Sequence, residues 1–260
     1  MMSMVGLTNL LVKLIPMINI PKTPCLLMLD FDGTLVPIAQ TPDQVQVPED
    51  LPELILSLQK SGHQAVIVSG RQAADIRKRL KTIPVEIIGL HGLEGFSEQT
   101  LPRHPLLDQA LKKLRALQKK FPKLLIEDKQ QIIAVHTRAL PEGSQKSAML
   151  ASLMIFDALV EDSLLFEQNL HLLKGHCVVE LRPDKASKAF AVQKLLKRHP
   201  YLYPIYIGDD TTDEEAFPVV NSKGTSIRVG TPDIKTAATN RLADVCAVHG
   251  FLKQLIYFSP

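Results

Sequence analysis

The stretch Cys25-Leu26-Leu27-Met28-Leu29-Asp30-Phe31-Asp32-Gly33-Thr34-Leu35 decides how this chain reads. An apolar run from Cys25 to Leu29 that ends in acid-x-acid-Gly has the form of a buried parallel strand stopping at a tight turn. Residues two apart in extended chain point the same way, so Asp30 and Asp32 leave the carboxyl end of the strand side by side. Gly33 lets the backbone turn away at once. Open parallel sheets bind ligands at the carboxyl ends of their strands. Two convergent carboxylates there suit a hard cation and covalent phosphoryl chemistry. Asp and Gly are also ordinary turn residues, so the reading depends on what else reaches the same edge.

Three further segments do. Ile205 to Ile207 is a second short apolar strand, and it runs into Gly208-Asp209-Asp210-Thr211-Thr212-Asp213-Glu214-Glu215. Thr212 or Asp213 can cap a helix there, and acids in a first turn favour the dipole. Capping explains one or two acids but not five within seven residues; like charges so close call for a divalent cation. Ala65 to Val68 is a third strand, followed by Ser69-Gly70-Arg71. A hydroxyl, a flexible Gly and a bidentate cation can hold a phosphate oxygen, though Ser69 is equally an N-cap for a helix from Gln72 to Leu80. Lys188 opens a helix that runs to about Arg198. A lysine at a helix N-terminus opposes the dipole, which argues that it faces an anion.

These four segments, in this order, resemble the four motifs of the haloacid dehalogenase superfamily of phosphotransferases. Gly89-Leu90-His91-Gly92-Leu93-Glu94-Gly95, Glu127-Asp128-Lys129, Val135-His136-Thr137-Arg138, Val179-Glu180-Leu181-Arg182-Pro183 and Gly208 to Glu214 look like the trehalose-6-phosphate phosphatases. The likeness spans about Cys25 to Leu255. It departs at Ala189, where the family has Gly after the motif lysine, and Asp184-Lys185-Ala186-Ser187 is loose against the family pattern. Ala is the better helix former, so the helix is expected to start normally.

The resemblance implies a Mg²⁺-dependent phosphatase that hydrolyses trehalose 6-phosphate to trehalose and phosphate, the last step of trehalose biosynthesis. Asp30 would be the nucleophile and Asp32 the general acid and base. Asp30, the Asp32 backbone carbonyl and Asp209 would hold the metal, with Asp210 and Asp213 supporting it from behind. Ser69 and Lys188 would neutralise phosphoryl oxygens, and Arg71 would assist. Sugar recognition would fall to Lys129, Glu180 and Arg182 on the insert, with His91 and Glu94 at its border. His136 and Arg138 are weaker, because alternation on a hairpin produces the same pattern. Rival readings are a related phosphatase for sucrose phosphate or mannosyl-phosphoglycerate, a phosphotransferase such as a phosphomannomutase, and a catalytically silent module on this fold. The EDK and ERP elements disfavour the first, and retention of Asp30, Asp32, Ser69, Lys188 and Asp209 together disfavours the last.

Composition bounds the rest. A chain of 260 residues with 45% apolar content supports a large α/β domain, or a core with an inserted smaller domain. The net charge of +3 makes no case for nucleic acid or an anionic membrane. Cys25, Cys177 and Cys246 are scattered and odd in number, which suggests buried free thiols in a reducing, cytoplasmic setting. The apolar stretch from Val5 to Ile20 is broken by Lys13 and Pro16 and is too short to span a bilayer. A small molecule is the expected partner. A monomer is compatible with all of this, and oligomeric state stays open.

The pattern predicts an α/β fold: a Rossmann-like parallel-sheet core of the haloacid dehalogenase type with an inserted α+β cap. Residues 1–22 form an amino-terminal extension, 23–103 and 183–260 the core, and 104–182 the cap. Within the core, helices are expected over 49–60, 72–80, 187–198, 213–220 and 248–257. Within the cap, helices are expected over 105–120 and 144–160, a hairpin over 124–136, and short strands at 164–167, 170–173 and 177–181.

Overall fold

The computed structural model describes residue 18 and residues 22–81, 83–96, 102–164, 166, 169–175 and 177–257. The expected amino-terminal extension lies almost wholly outside these residues. In chain order the core opens with β1 (Cys25–Leu29), α1 (Leu51–Lys60), β2 (Gln64–Val68), α2 (Ala73–Leu80) and β3 (Glu86–Ile88). The insert supplies α3 (Leu106–Gln118), β4 (Leu125–Asp128), β5 (Ile133–His136), α4 (Glu142–Ser163), β6 (Leu170–Gly175) and β7 (Val178–Pro183). The core resumes with α5 (Lys188–Arg198), β8 (Tyr203–Gly208), α6 (Phe217–Asn221), β9 (Thr225–Val229), β10 (Asn240–Leu242) and α7 (Val245–Tyr257).

The core strands form one parallel sheet in the order β10-β9-β8-β1-β2-β3. Alternation sorts its side chains to two faces. Leu27, Leu29, Ile67, Ile205 and Ile207 meet α1, α2 and α7 on one face. Leu26, Met28, Val66, Val68 and Tyr206 meet α5 and α6 on the other. A sheet buried on both faces needs apolar residues at consecutive positions, which is why β1 reads as an unbroken run. From β1 the chain steps outward to β2 and β3, then re-enters on the opposite side of β1 through β8. The strand order therefore reverses between β1 and β8, and open α/β sheets hold their ligands at such a switch point.

The insert is an antiparallel sheet in the order β4-β5-β7-β6, covered by α3 and α4. The hairpin pairs Leu125 with His136 and Asp128 with Ile133, within the expected span of 124–136. Its core is separate and gathers around Leu107, Leu114, Phe156 and Leu181, all fully buried.

Several boundaries differ from expectation. The helix expected over 213–220 is a 3-10 turn at Asp213–Glu215 followed by α6, because Pro218 in the first turn starts a new helix and cannot continue the old one. The strand expected at 164–167 lies partly outside the described residues, and its first residue, Leu164, terminates α4. β10, three residues without an apolar run, was not anticipated. Cys25 is buried as expected and Cys177 half-buried, but Cys246 is exposed. It sits two positions before Val248, which faces the core, and so points from the opposite side of α7. Among the described residues no helix is long and apolar enough to cross a membrane.

Phe156 lies at the centre of the insert's core with no exposed surface. Phe156→Ala is expected to lower stability by about 3–5 kcal/mol, read as a shifted urea midpoint. An unchanged midpoint would mean that the insert has little packing of its own.

Candidate functional site

Asp30 continues the line of β1 beside β8, its backbone N–H donating to the Ile207 carbonyl at 2.9 Å. This register brings the carboxylates after β1 and β8 together. Oxygens of Asp30, Asp209 and Asp213 lie within 4.8 Å of one another. Gly33 makes that approach possible: its φ is +77° and a Cβ there would lie 2.1 Å from Asp209 Oδ2. Thr34 Oγ1 donates to Asp209 Oδ1 at 3.4 Å. Opposite stands Lys188, 2% exposed, with Nζ 2.8 Å from Asp30 Oδ1 and 2.7 Å from Asp213 Oδ1. The lysine at the start of α5 thus faces anions, as its place against the dipole implied, and α5 starts normally despite Ala189.

Asp213 is the most constrained of the three. It accepts from Lys188, from the Tyr206 hydroxyl at 2.6 Å and from the Asp210 backbone N–H at 2.9 Å. It caps no helix through its side chain. Tyr206 was missed in the sequence; its signal was a hydroxyl set between Ile205 and Ile207 in a buried stretch, which needs a partner. Burial pushes Asp30 up to about 7 against the pull of Lys188, and Asp213 and Asp32 add to the rise. Burial and the neighbouring Asp30 and Asp213 charges push Asp209 up to about 9. Among the described residues these three acids face one ammonium, and burying them together without a further cation is what raises Asp30 and Asp209. An all-oxygen donor set of this kind fits a hard divalent cation. Asp30 and Asp209 are the freer donors.

Ser69, buried at the end of β2, accepts the Arg71 backbone N–H at 3.2 Å and lines the same cleft. Arg71 grips Asp32 with two bonds, Nε to Oδ2 at 2.5 Å and Nη2 to Oδ1 at 2.8 Å. Its remaining donors reach Asp75 at 2.7 Å and the Pro42 carbonyl at 3.1 Å. The guanidinium expected on a phosphate is therefore spent on protein partners, and above all on Asp32.

The insert closes the cleft from the other side. Lys129 Nζ, in the β4–β5 turn, donates to Glu180 Oε1 at 2.8 Å and to the Gly70 carbonyl at 3.1 Å. Glu180 Oε2 in β7 lies 2.9 Å from His91 Nε2 in the turn after β3. All three residues are buried. Burial alone would raise Glu180, but Lys129 and His91 hold it well below the usual carboxylate range. Arg182 pairs with Glu215, which also accepts from Ser187 Oγ at 2.8 Å. Glu94 accepts the Ala73 backbone N–H at 2.6 Å, an unpaired donor in the first turn of α2.

The cleft between core and insert holds about 840 Å³. Asp30, Asp32, Ser69, Arg71, His91, Lys129, Glu180, Lys188, Asp209 and Asp210 line it, whereas Glu94, Arg182 and Asp213 do not. Glu127, His136 and Arg138 also face it, with His136 Nε2 and Glu127 Oε2 2.9 Å apart. The sequence signal for that pair was the hairpin register, which sets Glu127 diagonally across from His136. The loops at 37–42 and 229–234 complete the wall and carried no motif.

A parallel sheet with carboxylates at its switch point and an α+β insert is the fold of the haloacid dehalogenase-like hydrolases. One such hydrolase, from Bacteroides thetaiotaomicron, superposes with a TM-score of 0.60 over 89% of this chain and 99% of that one, at 14% identity. The C-terminal domain of the C. albicans trehalose-6-phosphate phosphatase reaches a TM-score of 0.78 over 91% of this chain and 94% of that one, at 21% identity. In sequence, the probable trehalose-phosphate phosphatase of Sinorhizobium fredii (strain NBRC 101917 / NGR234) is 31% identical over 237 residues, covering 88% of this chain and 86% of that protein. The trehalose-phosphatase family model matches residues 28–245. The chain belongs to the trehalose-phosphatase family, whose members are phosphoric monoester hydrolases.

Glu180→Gln leaves the buried Lys129 ammonium with only the more distant Glu127 carboxylate, 3.8 Å away, as a charge partner, and is expected to cost about 3 kcal/mol at neutral pH. Because the folded pKa of Glu180 is depressed, its stabilising effect is present above the unfolded value of 4.5 and is lost as pH falls below it. Urea midpoints of wild type and Glu180→Gln should therefore converge as pH falls below 4.5. A gap that stays constant with pH would show that the charge is not what stabilises.

Proposed function

We propose that this protein is a Mg²⁺-dependent trehalose-6-phosphate phosphatase working through an aspartyl-phosphate. The observation that carries the reading is the convergence of Asp30, Asp209 and Lys188 at the switch point, inside a cleft whose other wall is polar. A volume of about 840 Å³ is in the range that admits a phosphorylated disaccharide. Residues 104–182 act as the cap and residues 23–103 and 183–260 as the catalytic core.

Asp30 attacks phosphorus as its bond to the sugar oxygen breaks. Asp32 gives a proton to the leaving oxygen, and its departure from Arg71 toward that oxygen is part of the step. Asp32 then takes a proton from the water that attacks the aspartyl-phosphate, releasing inorganic phosphate and restoring Asp30. Lys188 and Ser69 neutralise the phosphoryl oxygens. The side chains of Asp30 and Asp209 and the Asp32 carbonyl would hold Mg²⁺, which when bound offsets phosphoryl charge and fixes the phosphate against the nucleophile. Asp213 keeps Lys188 in place, and Asp210 secures Asp213 through its backbone N–H. Lys129 and Glu180, with the neighbouring Glu127, His136 and Arg138, read sugar hydroxyls. Arg182 and Glu94 act more remotely, Arg182 by tying the cap to Glu215 and Glu94 by holding the start of α2.

Release of phosphate from trehalose 6-phosphate, compared with sucrose 6-phosphate and other phosphosugars, tests the substrate. Asp30→Asn is expected to leave the fold intact and reduce turnover at least about a thousandfold. Retention of a hundredth of the activity would remove Asp30 from the nucleophile's role. Turnover is expected to vanish in excess chelator and return with Mg²⁺, and Ca²⁺ should restore it poorly because its looser shell misplaces the phosphate. Undiminished activity in chelator would end the metal assignment.

A further inference from the structure

Two consecutive residues after β3 hold backbone conformations that side chains seldom adopt. Leu90 has φ +47° and His91 φ +54°. Such strain persists only where the surroundings enforce it, and it points to a use. Here the turn is stitched to the phosphate-side loop, because Leu90 N–H donates to the Arg71 carbonyl and His91 N–H to the Ser69 carbonyl, each at 2.9 Å. The strain delivers two side chains to the cap. Leu90 is buried with Ile132 of the cap hairpin and Ala186. The His91 ring lies over Gly70, where a Cβ would come within 2.6 Å of Nε2. Its Nε2 faces Glu180 Oε2 at 2.9 Å, while Nδ1 is buried without a hydrogen-bond partner among the described residues. A proton on Nε2 satisfies the carboxylate; a proton on Nδ1 alone would be a buried donor with nothing to meet. The other Glu180 oxygen receives Lys129, whose ammonium also binds the Gly70 carbonyl.

We infer that His91 is a positioning residue: the core uses it, in its Nε2–H form, to aim Glu180 at the substrate when the cap meets the Ser69–Arg71 loop. The inference rests on the reading of Glu180 as a sugar ligand and goes beyond it. Glu180 lines the cleft, and each of its oxygens can accept a second hydrogen bond after receiving one donor from His91 or Lys129. The carboxylate is thus oriented from behind, and the loop that carries Ser69 holds both supports. Sugar recognition and assembly of the phosphate site become one event.

The test compares His91→Asn, His91→Gln, Glu180→Gln and the double variant His91→Asn/Glu180→Gln. Asparagine tolerates the left-handed backbone, but its amide ends short of Glu180; glutamine restores the reach. The ratio of kcat/KM for trehalose 6-phosphate to that for p-nitrophenyl phosphate is expected to fall about tenfold or more in His91→Asn. It should recover in His91→Gln. In the Glu180→Gln background, His91→Asn should change that ratio less than about twofold. A fall shared equally by both esters, or one that persists undiminished in the Glu180→Gln background, would overturn the inference. ¹⁵N NMR of the histidine ring gives a readout independent of any substrate. Wild type should show a neutral ring protonated at Nε2, and Glu180→Gln should move that resonance. A ring protonated at Nδ1, or one indifferent to Glu180→Gln, would overturn the inference even if trehalose 6-phosphate is hydrolysed. Failure of wild type to release phosphate from trehalose 6-phosphate, with the NMR coupling present, would instead overturn the substrate reading and leave the His91–Glu180 pair standing.

Discussion

Three carboxylates gathered around one buried ammonium, at the edge of a parallel sheet, set the terms for the rest of this structure. Asp30, Asp209 and Asp213 lie within 4.8 Å of one another, with Lys188 as their nearest cation. Such a cluster survives only where rigid elements prevent its members from separating, since each charge would be better solvated alone. The parallel register of β1 and β8 holds Asp30 and Asp209 from the backbone. Tyr206 and the Asp210 N–H hold Asp213 through hydrogen bonds. Gly33 clears the space that Asp209 occupies. This crowding of acids is what supports the proposed cation site.

A second buried charge system ties the insert to this edge. Lys129, Glu180 and His91 form a chain that begins at the Gly70 carbonyl on the core, crosses into the insert and returns to the core at His91. Buried pairs of this sort contribute little net stability compared with apolar packing, but they demand specific geometry. Arg182, two residues along the same face of β7, makes a second tie to the core at Glu215. Apolar contact between Leu90, Ile132 and Ala186 seals the seam between them. Core and insert thus meet through polar groups that define one relative placement.

Much of the site was legible because the strands end where the motifs begin. Asp30, Ser69 and Asp209 each follow an apolar run, and period-two alternation with a parallel register brings them to one edge. Lys188 was legible from its conflict with the helix dipole. Other roles could not be read this way. Arg71 carries the same chemistry whether it binds phosphate or carboxylate, and only the position of Asp32 across the turn makes it a carboxylate clamp. Glu94 and Arg182 belong to motifs yet do not line the cleft, because they are engaged by the Ala73 N–H and Glu215, partners remote in sequence. The break at Ala216 was obscured by an acidic run that resembles a first helical turn, although Pro218 marked it.

The sequence by itself determined the alternation of strands and helices through most of the core, the antiparallel insert and the residue types at the motif-bearing strand ends. Those follow from hydrophobic periodicity and turn chemistry, which are local. Only the tertiary structure decided which charges pair. Asp213 could have been a helix cap, a metal ligand or an anchor for Lys188, and Lys188 Nζ and the Tyr206 hydroxyl, both donating to its Oδ1, made it the anchor. His91 could have been a turn residue or a ligand, and a strained backbone pointing its ring across the seam joined it to Glu180. Pairing depends on distances of a few ångströms between segments far apart in the chain, and local sequence does not encode them.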